Sequence, residues 1–171
     1  MADLSLYASI AEIFSATAIV GGALFAIVQL NEYKRRRRNE AAAELCRQFT
    51  QPELAKAFIL LNTLPDGLGI EEYRKRGPEY EEAAQVVGMT FETMGLLVYK
   101  DMASFRTVQE LAGGLLLMTW RKSGDWVKEV REVENNPRFG EWAQWLAERL
   151  SELEPEMIPA YQKHSDWNKY D

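Results

Sequence analysis

Between Glu12 and Glu32 the chain carries no charged side chain, and the apolar stretch from Ser9 to Leu30 runs straight into Lys34-Arg35-Arg36-Arg37-Arg38. At a rise of 1.5 Å per residue, about 20 apolar residues cross a hydrocarbon core about 30 Å thick. The sequence therefore predicts one transmembrane helix, and every other expectation is conditioned by it. Flanks rich in Lys and Arg stay on the cytoplasmic side of a span. Only Asp3 and Glu12 precede or enter the apolar stretch, whereas five basic residues follow it. The expected topology is an N-terminus outside and a C-terminal domain in the cytoplasm, in a bacterial inner membrane. A cleaved signal peptide has the reverse charge order, so the stretch is expected to persist as an anchor.

Segment 1–38 is thus expected to be the anchor with its basic stop, 39–160 a cytoplasmic helical domain and 161–171 a C-terminal tail. The 133 residues behind the anchor suffice for one domain with its own core. Of 20 basic and 26 acidic side chains in the chain, five and three fall in the first 38 residues, leaving 15 against 23 and a net charge of -8 behind them. That balance argues against nucleic acid as a partner, because phosphates are met by clustered Lys and Arg. The single Cys46 has no partner for an internal disulfide and suits a reducing compartment.

Apolar residues recur at helical spacing along most of the chain, with no sustained alternation of the kind a half-buried strand needs. The expected fold class is all-α: one N-terminal transmembrane helix continuing into a cytoplasmic bundle of about five to six helices. No Gly or Pro separates the apolar stretch from Ala42, Leu45, Cys46 and Phe49, which predicts one helix from about Leu4 to Phe49. Thr50 reads as an N-cap ahead of Pro52, and Leu64-Pro65-Asp66-Gly67 as a turn. Pro78 opens a long helix with Ala83, Val87, Thr90, Phe91, Met94 and Leu97 on one side; Gly88 and Gly95 on that helix suggest a close crossing. Ser104 caps the next helix, whose expected inner face is Val108, Leu111, Ala112, Leu115 and Met118. Ser123-Gly124-Asp125 is a candidate kink, Asn135-Asn136-Pro137 a stop, and a last helix follows from Arg138.

Drawn at 100° per residue, the apolar stretch divides into two halves. Ala11, Glu12, Ser15, Ala16, Ala18, Gly22, Ala23, Ala26 and Gln29 share one half, where Ile19 is the only large apolar residue. Small faces let helix backbones approach each other in membranes, so Ala11, Ser15, Ala18, Gly22 and Ala26 are the expected packing residues against other transmembrane helices. Glu12 and Gln29 mark the two ends of that half as candidate pore-lining or interhelical polar groups. Lys34 and Arg35, Arg36, Arg37 and Arg38 set the topology and form a candidate patch for anionic lipid. Trp142 and Trp145 lie three apart and cannot both point inward with Leu146, which makes Trp145 a candidate partner surface.

Nothing in the sequence supplies a reaction. His164 is the only histidine and lies in the tail, and no serine stands in a nucleophile-elbow pattern. Phosphate-binding glycine loops, dinucleotide fingerprints and Cys/His zinc spacings are missing. Glu71-Glu72 and Glu81-Glu82 read as solvated charge on helix faces. No catalytic residue, cofactor or metal is expected.

The basic stop, the stretch Phe49-Thr50-Gln51-Pro52-Glu53, then Phe91 to Val98, Gly113-Gly114 and Asn136-Pro137-Arg138-Phe139-Gly140-Glu141-Trp142 together resemble a family of uncharacterised bacterial single-span proteins. That resemblance implies an inner-membrane protein with a cytoplasmic helical domain and carries no catalytic residues. In layout alone the chain also resembles CRISPR-accessory membrane proteins that assemble as pores. The expected role is a non-enzymatic accessory or scaffold subunit with the lipid bilayer and other transmembrane helices as partners. The alternatives are a homo-oligomeric pore and an anionic-lipid sensor.

Overall fold

The computed structural model describes the backbone of residues 2–153 and 158–168, with side chains from residue 14 onward except at 16, 39, 42, 43 and 46. These residues fold into helices α1 (Ala2–Phe49), α2 (Pro52–Asn62), α3 (Ile70–Arg76), α4 (Pro78–Tyr99), α5 (Phe105–Val133), α6 (Glu141–Leu153) and the single turn α7 (Ala160–Lys163), and no strand occurs among them. The all-α expectation holds. The chain separates into two compact units, Met1–Ala41 and Ala42–Asp171.

The first unit is helix α1 up to Ala41. Among the described residues no helix is long and apolar enough to cross a membrane. The longest uncharged run with every side chain described is Thr17 to Asn31, 15 residues or about 22 Å, against the roughly 30 Å of a hydrocarbon core. The expected span also draws on Ser9 to Ile13, whose side chains lie outside the described residues.

The second unit is a helical bundle whose element boundaries follow local chemistry. Pro52 and Pro78 occupy the first turns of α2 and α4, where a missing N–H costs nothing. Ser104 caps α5 by accepting the Thr107 N–H at 3.4 Å. The cap of α2, however, is Gln51 rather than Thr50. The Thr50 hydroxyl instead donates to the Arg47 carbonyl at 2.8 Å and so serves the end of α1. The stop after α5 has Asn135 at φ 47 and Gly140 at φ 66, left-handed positions that Asn and Gly tolerate best.

Two expectations about α5 are corrected. The helix runs unbroken through Ser123-Gly124-Asp125 to Val133. Ser123 donates its hydroxyl to the Thr119 carbonyl at 3.0 Å, and the absent side chain of Gly124 makes room for the Trp120 ring, whose Cε2 would lie 3.2 Å from a Cβ there. The inner face differs in part, although Val108 and Ala112 are buried as expected. Leu111 is exposed and Leu115 and Met118 are half-buried, while Leu116, Leu117 and Thr119 are buried. Helix α5 touches α2, α3, α4 and α6, so more than one stripe of it is covered and a single-face pattern does not describe it.

A close approach in the bundle joins α4 to α6. A Cβ on Gly95 would collide with the backbone carbonyl of Trp142, so the two helices meet backbone against backbone. Gly88, the other glycine of α4, would meet nothing within 4 Å; only one of the pair marks a close crossing. Because a methyl at 95 has to push α6 outward, Gly95→Ala is expected to destabilise the domain by about 1–3 kcal/mol despite its better helix propensity. Thermal unfolding followed by circular dichroism checks this, and an unchanged midpoint contradicts the close contact.

Candidate functional site

On α1 the structure places Ser15, Ala18, Gly22, Ala26 and Gln29 at exposed positions. Ala11 and Glu12 lie outside the residues whose side chains are described, as does Cys46. A Cβ on Gly22 would have open space around it. The opposite half of the helix is equally uncovered: Phe14, Val20, Leu24, Phe25, Ile27 and Val28 are each more than half exposed, with Phe14 at 76%. Contiguous apolar surface on this scale exceeds what the water-facing side of a monomeric soluble domain ordinarily carries.

Lys34, Arg35, Arg36, Arg37 and Arg38 are all exposed. Arg35 pairs with Glu32 at 2.9 Å, and the Arg37 guanidinium lies 5.1 Å from the centre of the Tyr33 ring, a cation–π distance. Trp145 is half-buried in the second unit. Its ring meets Trp142 at 6.2 Å and stands edge-on to Tyr99 at 5.9 Å, forming an aromatic cluster whose Tyr99 member is exposed.

The second unit contains a feature that sequence patterning missed. A cavity of about 490 Å³ opens between α4, α5 and the connection from α5 to α6. Its floor is built of Phe91, Leu116, Thr119, Ser123 and Trp126, all buried; its rim holds Gln85, Met89, Glu134, Asn136 and Arg138, all exposed. The indole N–H of Trp126 is taken by Glu81 at 3.2 Å, so Glu81 is a partner of the core and not the solvated charge its acidic neighbourhood suggested. Phe139 lies edge-on to Trp126 with ring centres 5.6 Å apart, and its carbonyl accepts from Arg131 Nε at 2.7 Å.

One wall is fixed by a carboxylate. Glu92, from α4, accepts the backbone N–H groups of Trp142 and Ala143 through one oxygen at 2.9 and 2.8 Å. These are orphan donors at the start of α6, where negative charge is favoured by the helix dipole. The Thr119 hydroxyl, by contrast, is buried and has no hydrogen-bond partner, although its residue is only 4% exposed. Threonine on a helix among Leu and Trp gives no signal of this kind in a sequence. The glycine at 88 was the visible clue, a position where α4 lacks a side chain although the backbone has room for one.

Among the described residues no group of three or more His, Cys, Asp or Glu side chains is arranged to hold a metal ion. Removing the Glu92 carboxylate leaves two backbone donors at the head of α6 without their acceptor. Glu92→Ala is expected to cost about 1–2 kcal/mol and Glu92→Gln less, since the amide oxygen still accepts. Denaturant unfolding of the two variants distinguishes them; equal losses would remove the capping role.

The family model described as a domain of unknown function (DUF4760) matches residues 16–150. No curated protein and no solved structure matches the chain. Since that model spans the greater part of α1 and the bundle through Leu150, the chain belongs to the DUF4760 family.

Proposed function

We propose that this is a non-enzymatic, single-span protein of the bacterial inner membrane. Its N-terminal helix packs on other membrane helices, and its helical domain presents an interaction surface on the cytoplasmic side. The observation that carries this is the uncovered apolar surface of α1: the described side chains between Phe14 and Leu30 are exposed on all sides of the helix, and an uninterrupted basic run follows them. Water is a poor environment for that surface. Lipid satisfies the half bearing Phe14, Leu24, Phe25 and Val28, while a second helix fits the half bearing Ser15, Ala18, Gly22 and Ala26.

The basic residues Lys34 to Arg38 set the orientation under this reading and rest against anionic headgroups, where each contributes about 1 kcal/mol near the surface. Gln29 stands just inside this belt on the small half. Partner helices come either from a larger complex or from copies of the same chain; in the second case the small half lines the centre of the assembly.

The full-length protein expressed in a bacterium should sediment with membranes and stay there through alkaline carbonate washing. Release by that wash contradicts the span. Ala18→Leu together with Gly22→Leu should leave insertion intact while removing the partner, or the self-association, seen by native mass spectrometry of the gently extracted protein. Unchanged assemblies after that double substitution exclude the small half as the packing face.

A further inference from the structure

We propose that the cavity between α4 and α5 is a binding site for a neutral, mostly apolar small molecule with a flat body and one hydrogen-bonding group. This stands apart from the membrane reading, since every lining residue belongs to the bundle. At about 490 Å³ the cavity falls within the range that holds a drug-sized ligand, roughly 300–1,000 Å³. A buried floor with an exposed rim gives such a molecule a closed end and an entry.

The Thr119 hydroxyl identifies the polar contact. Buried polar groups in folded proteins are almost always paired, and an unpaired one carries a desolvation penalty. Thr119 lines the cavity and its hydroxyl has no partner. A ligand bearing a hydroxyl, carbonyl or ring nitrogen would supply it. The remaining polar groups of the floor are already engaged: Trp126 with Glu81 and Ser123 with the Thr119 carbonyl.

Charge sets the class. Glu92 lines the cavity with its carboxylate held by two backbone N–H groups. The rim cation Arg138 is held by Glu141 through two hydrogen bonds at 3.0 and 2.7 Å. An anionic ligand would meet the Glu92 charge with no uncommitted cation among the lining residues to offset it. Trp126, Phe91 and Phe139 offer aromatic surface to a flat neutral body, where offset and edge contacts are favourable.

The test titrates 2-naphthol, which is neutral and flat with one hydroxyl, into the full-length protein in lipid nanodiscs, with protein-free discs as the blank and naphthalene-2-sulfonate as the anionic counterpart. The expected result is saturable one-to-one binding of the naphthol and weaker binding of the sulfonate. Gly88→Leu places a side chain in the open space at that position and should weaken naphthol binding at least tenfold while the helix is retained, leucine being the better helix former. Thr119→Val keeps the shape and removes the hydroxyl. It should weaken binding about 2- to 12-fold, the loss of one neutral hydrogen bond, without lowering the thermal midpoint of the ligand-free protein. The midpoint separates a ligand contact from a structural one, and Thr119→Val alone decides the matter if Gly88→Leu does not fold. Absence of saturable naphthol binding, tighter binding of the sulfonate, or binding unchanged by either variant in its folded state overturns the proposal.

Discussion

The bundle depends on the junction between α4 and α6. Gly95 admits the Trp142 backbone, and Glu92, about one turn earlier on α4, accepts the first free N–H groups of α6 at 2.9 and 2.8 Å. One contact fixes how near the helices lie, and the other fixes where α6 begins. With the head of α6 held on α4, the residues between Val133 and Glu141 have to cross from the end of α5 back toward α4. The left-handed Asn135 and Gly140 permit that return. Phe139 is thereby laid edge-on to Trp126, so the cavity wall follows from the junction.

A second fastening holds the other side of the bundle. Lys122, buried in α5, donates its ammonium to the Leu64 carbonyl at 2.5 Å and to Asp66 at 3.2 Å. The Gly67 N–H donates to the Arg121 carbonyl at 2.9 Å, and the Tyr73 hydroxyl to the Lys122 carbonyl at 3.3 Å. Burying an ammonium is tolerable only with partners of this kind. The turn between α2 and α3 is thus tied to the middle of α5 by polar contacts around an apolar centre. Burial also pushes the Tyr73 hydroxyl well above the ordinary tyrosine range, and it remains a donor at any physiological pH.

Much of the helix layout was legible because its signals are local. Pro52, Pro78, Ser104 and Asn135-Asn136-Pro137 act through their own backbone geometry, and each stands where an element begins or ends. The inner face of α5 was legible only in part: Val108 and Ala112 are buried as their spacing predicts, and Leu111 is not. Four neighbouring helices cover it, and a rule that assigns one face per helix chose Leu111 and Leu115 over Leu116 and Thr119. The break expected at Ser123-Gly124 failed for a related reason: a glycine in a helix reads as weakness until the ring it accommodates, here Trp120, is known. On α1 the small and large halves were read from periodicity alone. The cavity was hidden because it is defined by three separate segments of the chain and by a threonine whose significance lies in a missing partner.

The contact between Gly95 and Trp142 is asymmetric, and that asymmetry governs how the sequence can drift. What Gly95 meets at position 142 is mainly the main-chain carbonyl, which every amino acid possesses. Position 142 can therefore exchange its indole for another side chain without disturbing the helix crossing, at the expense of its tilted ring contact with Tyr99. Position 95 has no such freedom, because every replacement adds an atom where the carbonyl already sits. The steric constraint of the crossing therefore falls on the inconspicuous residue of the pair and not on the large aromatic one.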